Sequence, residues 1–273
     1  MTVTVERAGP LLTVQDRGRP GLAHLGVPPS GAADRRAFED GNALVGNTLD
    51  AACLEATLIG PVLRLGAPTL VAVTGAEAGA RLDGVPLPRG EARTGMLLEL
   101  GRCTEGVRAY VAIRGGIAVE PVLGSRSHDL LTGLGPPPLR DGDVVAVGEP
   151  HRCQTPSKRC LTPFRGELAV VPGPRSDWYA LDGLLATEWR VSASSNRIGT
   201  RLEGPPLERL RDGELLSEGV VTGAIQVPPS GRPILLGPDH PTTGGYPVIA
   251  VVRGSDLPLA GQLAPGTTVR FTL

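Results

Sequence analysis

The feature that most constrains the fold of this chain is a series of short β-branched runs that end at glycine, proline or aspartate. The sequence has 38 glycines and 27 prolines among 273 residues, and they separate apolar runs instead of forming tracts of their own. Short apolar runs bounded by turn residues are typical of strands in sandwiches and barrels. We therefore predict a mainly β protein, with strands over residues 2–5, 69–74, 108–113, 168–171 and 248–252.

Two segments predict short helices. Residues 34–45 place apolar side chains near one face, with Asp34 as the N-cap and Gly46 as the stop signal. Residues 176–185 begin with Ser-Asp and group tyrosine and leucine side chains, so we predict a second helix there.

A polar segment over residues 149–166 divides the chain near its middle. It contains three prolines and lacks strand alternation. The sequence Val-Pro-Pro-Ser-Gly at 27–31 recurs at 227–231, which favours two related halves. We predict a first β domain over 1–150, a linker over 151–166 and a second β domain over 167–273.

Charge and composition exclude several classes of protein. The chain has 27 basic and 28 acidic residues, whereas nucleic-acid binders normally carry a basic excess. Balanced charge also gives no polybasic anchor for anionic lipid. No apolar run is long enough to span a membrane, and the N-terminal residues do not resemble a signal peptide. We predict a soluble cytoplasmic protein that binds neither nucleic acid nor membrane.

Several catalytic motifs are absent from the sequence. Lys158 is the only lysine and no glycine run precedes it, so the chain has neither a P-loop nor a lysine placed to carry biotin. His151, Cys153 and Cys160 lie close together, but three ligands without a partner pair make a poor zinc site. We predict a solvated linker there and no metal site.

Two segments rich in polar, glycine and proline residues are candidates for function, because such loops often carry it when a scaffold holds them. In the first segment the candidates are Gln15, Asp16, Ser30 and Asp34. The alternative interpretation is a chain of turns in which Asp34 only caps a helix.

The second segment joins residues 195–199 to 237–247, which supply a carboxylate, an imidazole, hydroxyls and a phenol. Arg197 can hold a carboxylate or carbamate through its planar fork. The alternative is that Arg197 pairs with Glu203 or Glu218 at the surface, a contact of little energetic value.

Eight motifs along the chain together resemble one family. In order they are QDRGRPG, GVPPSGAAD, NALVGN, LEATLIGP, VLGSRSHDL, SNRIGTRLEGPPL, SEGVVTGAIQVPP and PTTGGYP. They are similar to the second-subunit family of allophanate hydrolase and biotin-dependent carboxyltransferase. This family includes the C component of the ATP-dependent 5-oxoprolinase and the second half of the urea carboxylase carboxyltransferase domain.

The resemblance implies two cyclophilin-like β-barrels and a heteromeric complex. The partner it implies is the first-subunit protein, which is the B component of the 5-oxoprolinase, with the A component as a further member. The reaction it implies is ATP-dependent opening of 5-oxoproline to glutamate, with this chain inactive alone. The alternatives are carboxyl transfer from biotin to urea or a related amide, and a non-catalytic module that binds the first-subunit protein.

Combined with the resemblance, the residues give a set of candidate roles. A lactam whose carbonyl is activated needs hydrogen-bond donors for the anionic groups that form, and a base. The catalytic candidates are Asp239, Glu218 and Tyr246. The substrate-binding candidates are Asn196, Arg197, Gln226, His240, Thr242 and Thr243. ATP is expected in the complex, with no biotin on this chain.

Overall fold

The computed structural model describes residues 1–150 and 166–273. The predicted linker and the three zinc candidates His151, Cys153 and Cys160 lie outside the described residues, except for Gly166.

The chain forms two compact units, and one segment near the N-terminus departs from chain order. Residues 20–29 group with the second unit, although the residues on both sides of them belong to the first. Of the described residues, the first unit therefore contains 1–19 and 30–150, and the second contains 20–29 and 166–273.

The first unit is built on one antiparallel sheet. Its strands are β1 (Thr2–Arg7), β2 (Leu11–Gln15), β3 (Cys53–Thr57), β4 (Val62–Glu77), β5 (Arg81–Leu82), β6 (Val85–Pro86), β7 (Ala92–Glu99), β8 (Glu105–Ile113) and β9 (Val144–Ala146). The main pairing order is β2-β3-β8-β4-β7-β5-β6, and β1 joins β4 to β9.

The long strand β4 explains why this sheet branches. Its N-terminal part pairs with β1 from Val62 to Leu65, and its C-terminal part pairs with β8 from Val71 onward. The register of β4 against β7 shifts between Arg64 and Thr69. Such irregularities bend a strand and increase its twist, so the two parts of β4 can pair with different strands.

Helix α1 (Arg35–Val45) packs on this sheet and confirms the prediction for residues 34–45. The Asp34 side chain caps it by accepting a 2.9 Å hydrogen bond from the Ala37 N–H. The helix ends at Gly46, whose φ of 72° favours glycine. Its buried Phe38 packs in a cluster with Tyr110 of β8.

The second unit contains a closed barrel of seven strands, which bears out the prediction of a mainly β chain with a barrel. The barrel order is β10-β17-β14-β15-β12-β11-β18, closed by parallel pairing of β18 with β10. The strands of this unit are β10 (Glu167–Pro172), β11 (Trp189–Val191), β12 (Gly199–Glu203), β13 (Glu218–Gly219), β14 (Ala224–Gln226), β15 (Ile234–Leu236), β16 (Thr243–Gly244), β17 (Val248–Val252) and β18 (Thr268–Thr272). Strands β13 and β16 form a separate two-stranded ribbon.

The helices of the second unit are short. They are a 3-10 turn (Ala23–Leu25), α2 (Leu181–Ala186) and α3 (Leu257–Ala260). None of the helices in the described ranges has the length and apolar character needed to cross a membrane. All five strand runs predicted from the sequence lie within β1, β4, β8, β10 and β17.

The helix predicted over residues 176–185 is wrong in its first half. Helix α2 begins only at Leu181, because the preceding backbone pairs with a distant segment. The Ala180 N–H donates to the Glu208 carbonyl, and the Leu210 N–H donates to the Trp178 carbonyl. These long-range bonds use groups that a helix would need, and the local pattern of apolar residues does not reveal them.

The cap of α1 gives a first prediction. Asp34→Ala removes the acceptor of the Ala37 N–H and should lower the free energy of unfolding by about 1 kcal/mol. Asp34→Asn keeps an acceptor oxygen and should cost less. Urea unfolding of the full chain measures both. Equal losses in the two variants would contradict the capping role.

Candidate functional site

The two segments predicted to form the site of the second unit meet at one end of neighbouring strands. Gly199 opens β12 and pairs with Leu236 at the end of β15. The residues just before β12 and just after β15 are therefore adjacent. Backbone hydrogen bonds continue this contact, from the Gly237 N–H to the Ile198 carbonyl at 3.0 Å and from the Asp239 N–H to the Arg197 carbonyl at 3.2 Å.

Arg197 and Asp239 form a buried, two-pronged ion pair at this junction. The Arg197 Nε donates to Asp239 Oδ2 at 2.7 Å, and Nη2 donates to Oδ1 at 2.9 Å. The two residues are 1% and 0% exposed. Arg197 thus pairs neither with Glu203 nor with Glu218, and the surface alternative is wrong. Its fork faces a carboxylate of the protein itself.

Gly237 allows the two segments to approach this closely. A Cβ atom at position 237 would lie 2.2 Å from the Arg197 carbonyl oxygen, a distance that side chains do not tolerate. Gly237 therefore permits the close backbone contact that brings Asp239 next to Arg197.

Two predicted polar residues flank the ion pair. Asn196 is exposed, and its Oδ1 accepts from the Ile198 N–H at 2.9 Å and the Gly199 N–H at 3.3 Å. His240 is 3% exposed, and its Nδ1 lies 2.6 Å from the Pro241 carbonyl oxygen.

Strands β13 and β16 place another group of the predicted residues side by side. Glu218 pairs with Gly244 across this ribbon, next to Thr243. The Gln226 amide donates to the Tyr246 carbonyl at 3.3 Å. Val220 donates its N–H to the Thr242 carbonyl at 3.1 Å.

Glu218 is held by an arginine that the sequence prediction omitted. Both carboxylate oxygens of Glu218 accept from the Arg175 guanidinium. This hydrogen bonding lowers the pKa of Glu218. The carboxylate is therefore ionised at neutral pH, and it is a weaker proton acceptor than an ordinary glutamate.

Tyr246 lines a cavity of about 250 Å³ that lies wholly in the second unit. We call this cavity the Trp178 pocket; its walls include Trp178, Tyr179, Arg209, Glu214, Tyr246 and Pro247. Sequence reasoning missed the first four residues. The Ser-Asp-Trp-Tyr run falls in the segment predicted to be helical, where Tyr179 was grouped with the leucines of one face.

The candidates of the first unit gather around the segment 125–128. Asp16 Oδ1 accepts from the hydroxyls of Ser125 and Ser127, each at 2.6 Å, and Oδ2 accepts from the Arg126 N–H at 2.6 Å. Gln15 and Ser30 both donate to the His128 carbonyl at 3.0 Å. These hydrogen bonds tie distant chain segments together, while the Asp34 side chain caps α1.

A buried polar group near α1 was also missed. The Tyr110 hydroxyl donates to Glu55 Oε2 at 2.7 Å and accepts from the Asp34 N–H at 2.8 Å. Arg108 Nε lies 3.6 Å from Glu55 Oε1. Burial first, and then the charges of Glu55 and Asp34, raise the pKa of Tyr110 well above its usual value. The sequence signal is a set of polar side chains among the buried apolar residues of two strands, Glu55 in β3 and Arg108 and Tyr110 in β8.

Comparisons with known proteins agree with the sequence motifs. A profile of the family described as "Carboxyltransferase domain, subdomain A and B" matches residues 25–273. The chain is 38% identical to the C component of 5-oxoprolinase from Escherichia coli over 278 residues, which cover 97% of this chain and 89% of that protein.

Two solved structures are similar over nearly the whole chain. TTHA0988 is 36% identical with a TM-score of 0.91, and the match covers 100% of this chain and 56% of that one. The K. lactis urea amidolyase is 31% identical with a TM-score of 0.91, and the match covers 99% of this chain and 18% of that one. This chain thus spans only part of each of these longer chains.

The barrel and these matches identify the protein as a β-rich domain of the carboxyltransferase type. The chain belongs to the carboxyltransferase subdomain A and B family, as its motifs predicted.

The buried ion pair gives a second prediction. Arg197→Met removes the guanidinium that binds both oxygens of the buried Asp239 carboxylate and should lower the free energy of unfolding by about 3–5 kcal/mol. The double variant Arg197→Met/Asp239→Leu removes both charges and should recover much of that loss. Urea unfolding measures both variants. A double variant no more stable than the single one would contradict this account.

Tyr110 gives a third prediction, on pH dependence. The unfolded chain releases the phenol proton near pH 10, whereas the folded chain retains it. The stabilisation from the neutral phenol is therefore complete below about pH 10 and declines as the pH rises above it. Tyr110→Phe should be less stable than the wild type at pH 7, and this difference should shrink above about pH 10. A gap independent of pH in urea unfolding would contradict the assignment.

Proposed function

We propose that this chain is the C component of an ATP-dependent 5-oxoprolinase that opens 5-oxoproline to glutamate. The observation that carries the proposal is the 38% identity to the corresponding E. coli protein, which extends over 97% of this chain and 89% of that protein. By contrast, the matched region makes up only 18% of the K. lactis urea amidolyase chain.

The proposed reaction requires a site that stabilises negative charge. A lactam carbonyl is a poor electrophile, and transfer of a phosphoryl group from ATP to its oxygen makes the ring carbon open to attack by water. Hydrogen-bond donors that are already in position around the developing anion usually contribute most to lowering the activation barrier of such a reaction. The candidates in this chain are the Gln226 amide and the Tyr246 hydroxyl, which belong to neighbouring parts of the second unit.

The Arg197–Asp239 pair takes a positioning role in this proposal. Its fork is already occupied by Asp239, so the pair fixes the loop from Pro238 to Tyr246 relative to β12. The pair thereby also sets the position of neighbouring residues on that loop, including His240, Thr242 and Thr243. Asp239 and Glu218 both remain proposed as the base.

The proposal includes partners, because the incomplete set of catalytic groups fits one part of a complex. We expect this chain to act in the cytoplasm with the first-subunit protein (the B component) and with the A component, and to have little activity alone. ATP enters as a substrate of the complex.

Carboxyl transfer is a second candidate function. It is favoured by the carboxyltransferase profile over residues 25–273 and by the likeness to the K. lactis urea amidolyase. The same donors would then hold a carbamate, and biotin would have to come from another chain. Transfer of a carboxyl group from carboxybiotin to urea, without release of glutamate from 5-oxoproline, would favour this alternative.

A fourth prediction tests the proposed function directly. The chain co-expressed with its A and B components should release glutamate from 5-oxoproline only when ATP is present, and the isolated chain should release almost none. A purified complex without this activity would overturn the proposal. Full turnover by the isolated chain would overturn its partner requirement.

The same assay tests the ion pair, with a matched control in the second unit. Asp239→Asn should lower kcat of the assembled complex by on the order of a hundredfold. Glu188→Gln makes the same chemical change in the exposed pair with Arg270 and should leave kcat unchanged. A purely structural role for Asp239 would reduce the amount of complex but preserve kcat per assembled complex.

A further inference from the structure

The Trp178 pocket combines aromatic walls with one cation and one anion. Its volume of about 250 Å³ lies just below the range of about 300–1,000 Å³ of pockets for drug-sized ligands. A ligand that fits this cavity is therefore smaller than a typical drug molecule. Trp178 and Tyr246 supply aromatic side chains, Arg209 supplies a guanidinium, and Glu214 supplies a carboxylate.

Arg209 is held in place before any ligand binds. Its guanidinium lies 5.9 Å from the centre of the Trp178 ring. Its Nε donates to the Arg211 carbonyl at 2.8 Å, and its Nη2 donates to the Gly213 carbonyl. A guanidinium that lies over an aromatic ring can still use its in-plane N–H groups for hydrogen bonds.

The remaining edge of this guanidinium has no partner in the described parts of the chain. Nη1 of Arg209 makes no hydrogen bond there, and no carboxylate forms an ion pair with Arg209 there. A fixed cation with an unused edge at a cavity wall is suited to a carboxylate. Because its orientation is already set, little side-chain entropy is lost on binding.

Glu214 adds a second polar requirement on the ligand. It is exposed, lines the same cavity and makes no ion pair in the part of the chain that the structure describes. An ionised carboxylate only accepts hydrogen bonds. A ligand that satisfies both residues presents an anion to Arg209 and an N–H to Glu214.

We propose that the Trp178 pocket binds a small, flat carboxylate that carries an amide N–H. The carboxylate lies against Arg209, the N–H faces Glu214, and the ring lies between Trp178 and Tyr246. 5-Oxoproline has all three features, and naming it as the ligand rests on the proposed function.

The experiment compares two ligands and three forms of the full chain. 5-Oxoproline carries the carboxylate, whereas 2-pyrrolidinone has the same lactam ring without it. The forms are the wild type, Arg209→Met and the control Arg232→Met, which removes an exposed arginine that lines a different cavity of the same unit. The readout is tryptophan fluorescence, because the chain has two tryptophans and only Trp178 lines this cavity.

We expect Arg209→Met to weaken 5-oxoproline binding by on the order of tenfold or more, since a charged hydrogen-bond donor is lost. Binding of 2-pyrrolidinone should stay unchanged in that variant, and Arg232→Met should bind both ligands as the wild type does. A wild-type chain with no preference for 5-oxoproline over 2-pyrrolidinone would overturn the proposal. Equal affinity of the wild type and Arg209→Met for 5-oxoproline would do the same.

These results are separable from the test of the proposed function. Carboxylate preference that depends on Arg209, in a chain whose complex releases no glutamate, would support the pocket and overturn the 5-oxoprolinase proposal. ATP-dependent turnover by the complex, together with binding that does not depend on Arg209, would support the function and overturn the pocket.

Discussion

The buried ion pair between Arg197 and Asp239 is the interaction on which the candidate site of the second unit depends. Both residues are almost fully excluded from solvent, so either charge alone would be costly. Their pairing therefore requires the segment before β12 and the segment after β15 to stay together. The close backbone contact at Gly237 meets the same requirement. The loop that follows Asp239 takes its position from this junction.

The first unit uses buried polar groups in a similar way. Asp16 accepts hydrogen bonds from two serine hydroxyls and a backbone N–H, and Tyr110 links Glu55 to the start of α1. A buried polar group is stabilising only when its partners are present. Such networks hold loops to the sheet without needing more apolar core. This explains how a chain with few aromatic residues and many turns keeps its loops in place.

Two arginines of the second unit show how surroundings decide what the same side chain does. Arg197 is buried and its guanidinium is bound by Asp239, so it holds two chain segments together. Arg209 is exposed, lies 5.9 Å from the centre of the Trp178 ring and has backbone carbonyls as its hydrogen-bond partners in the described residues. A nearby aromatic ring leaves the hydrogen-bonding edge of a guanidinium available, whereas a carboxylate occupies that edge. Before the fold is known, both are arginines in loops rich in glycine and proline.

The sequence by itself determined the mainly β class, five strand positions, helix α1 with its cap, and the family. These follow from local patterns: short β-branched runs, capping residues and ordered motifs. It also brought Arg197 and Asp239 into one candidate site. Only the tertiary structure decided that they pair with each other, that residues 176–180 are not helical, and that Trp178 and Arg209 share a pocket. Each of these outcomes depends on contacts between residues far apart in the chain, which no local pattern of side chains encodes.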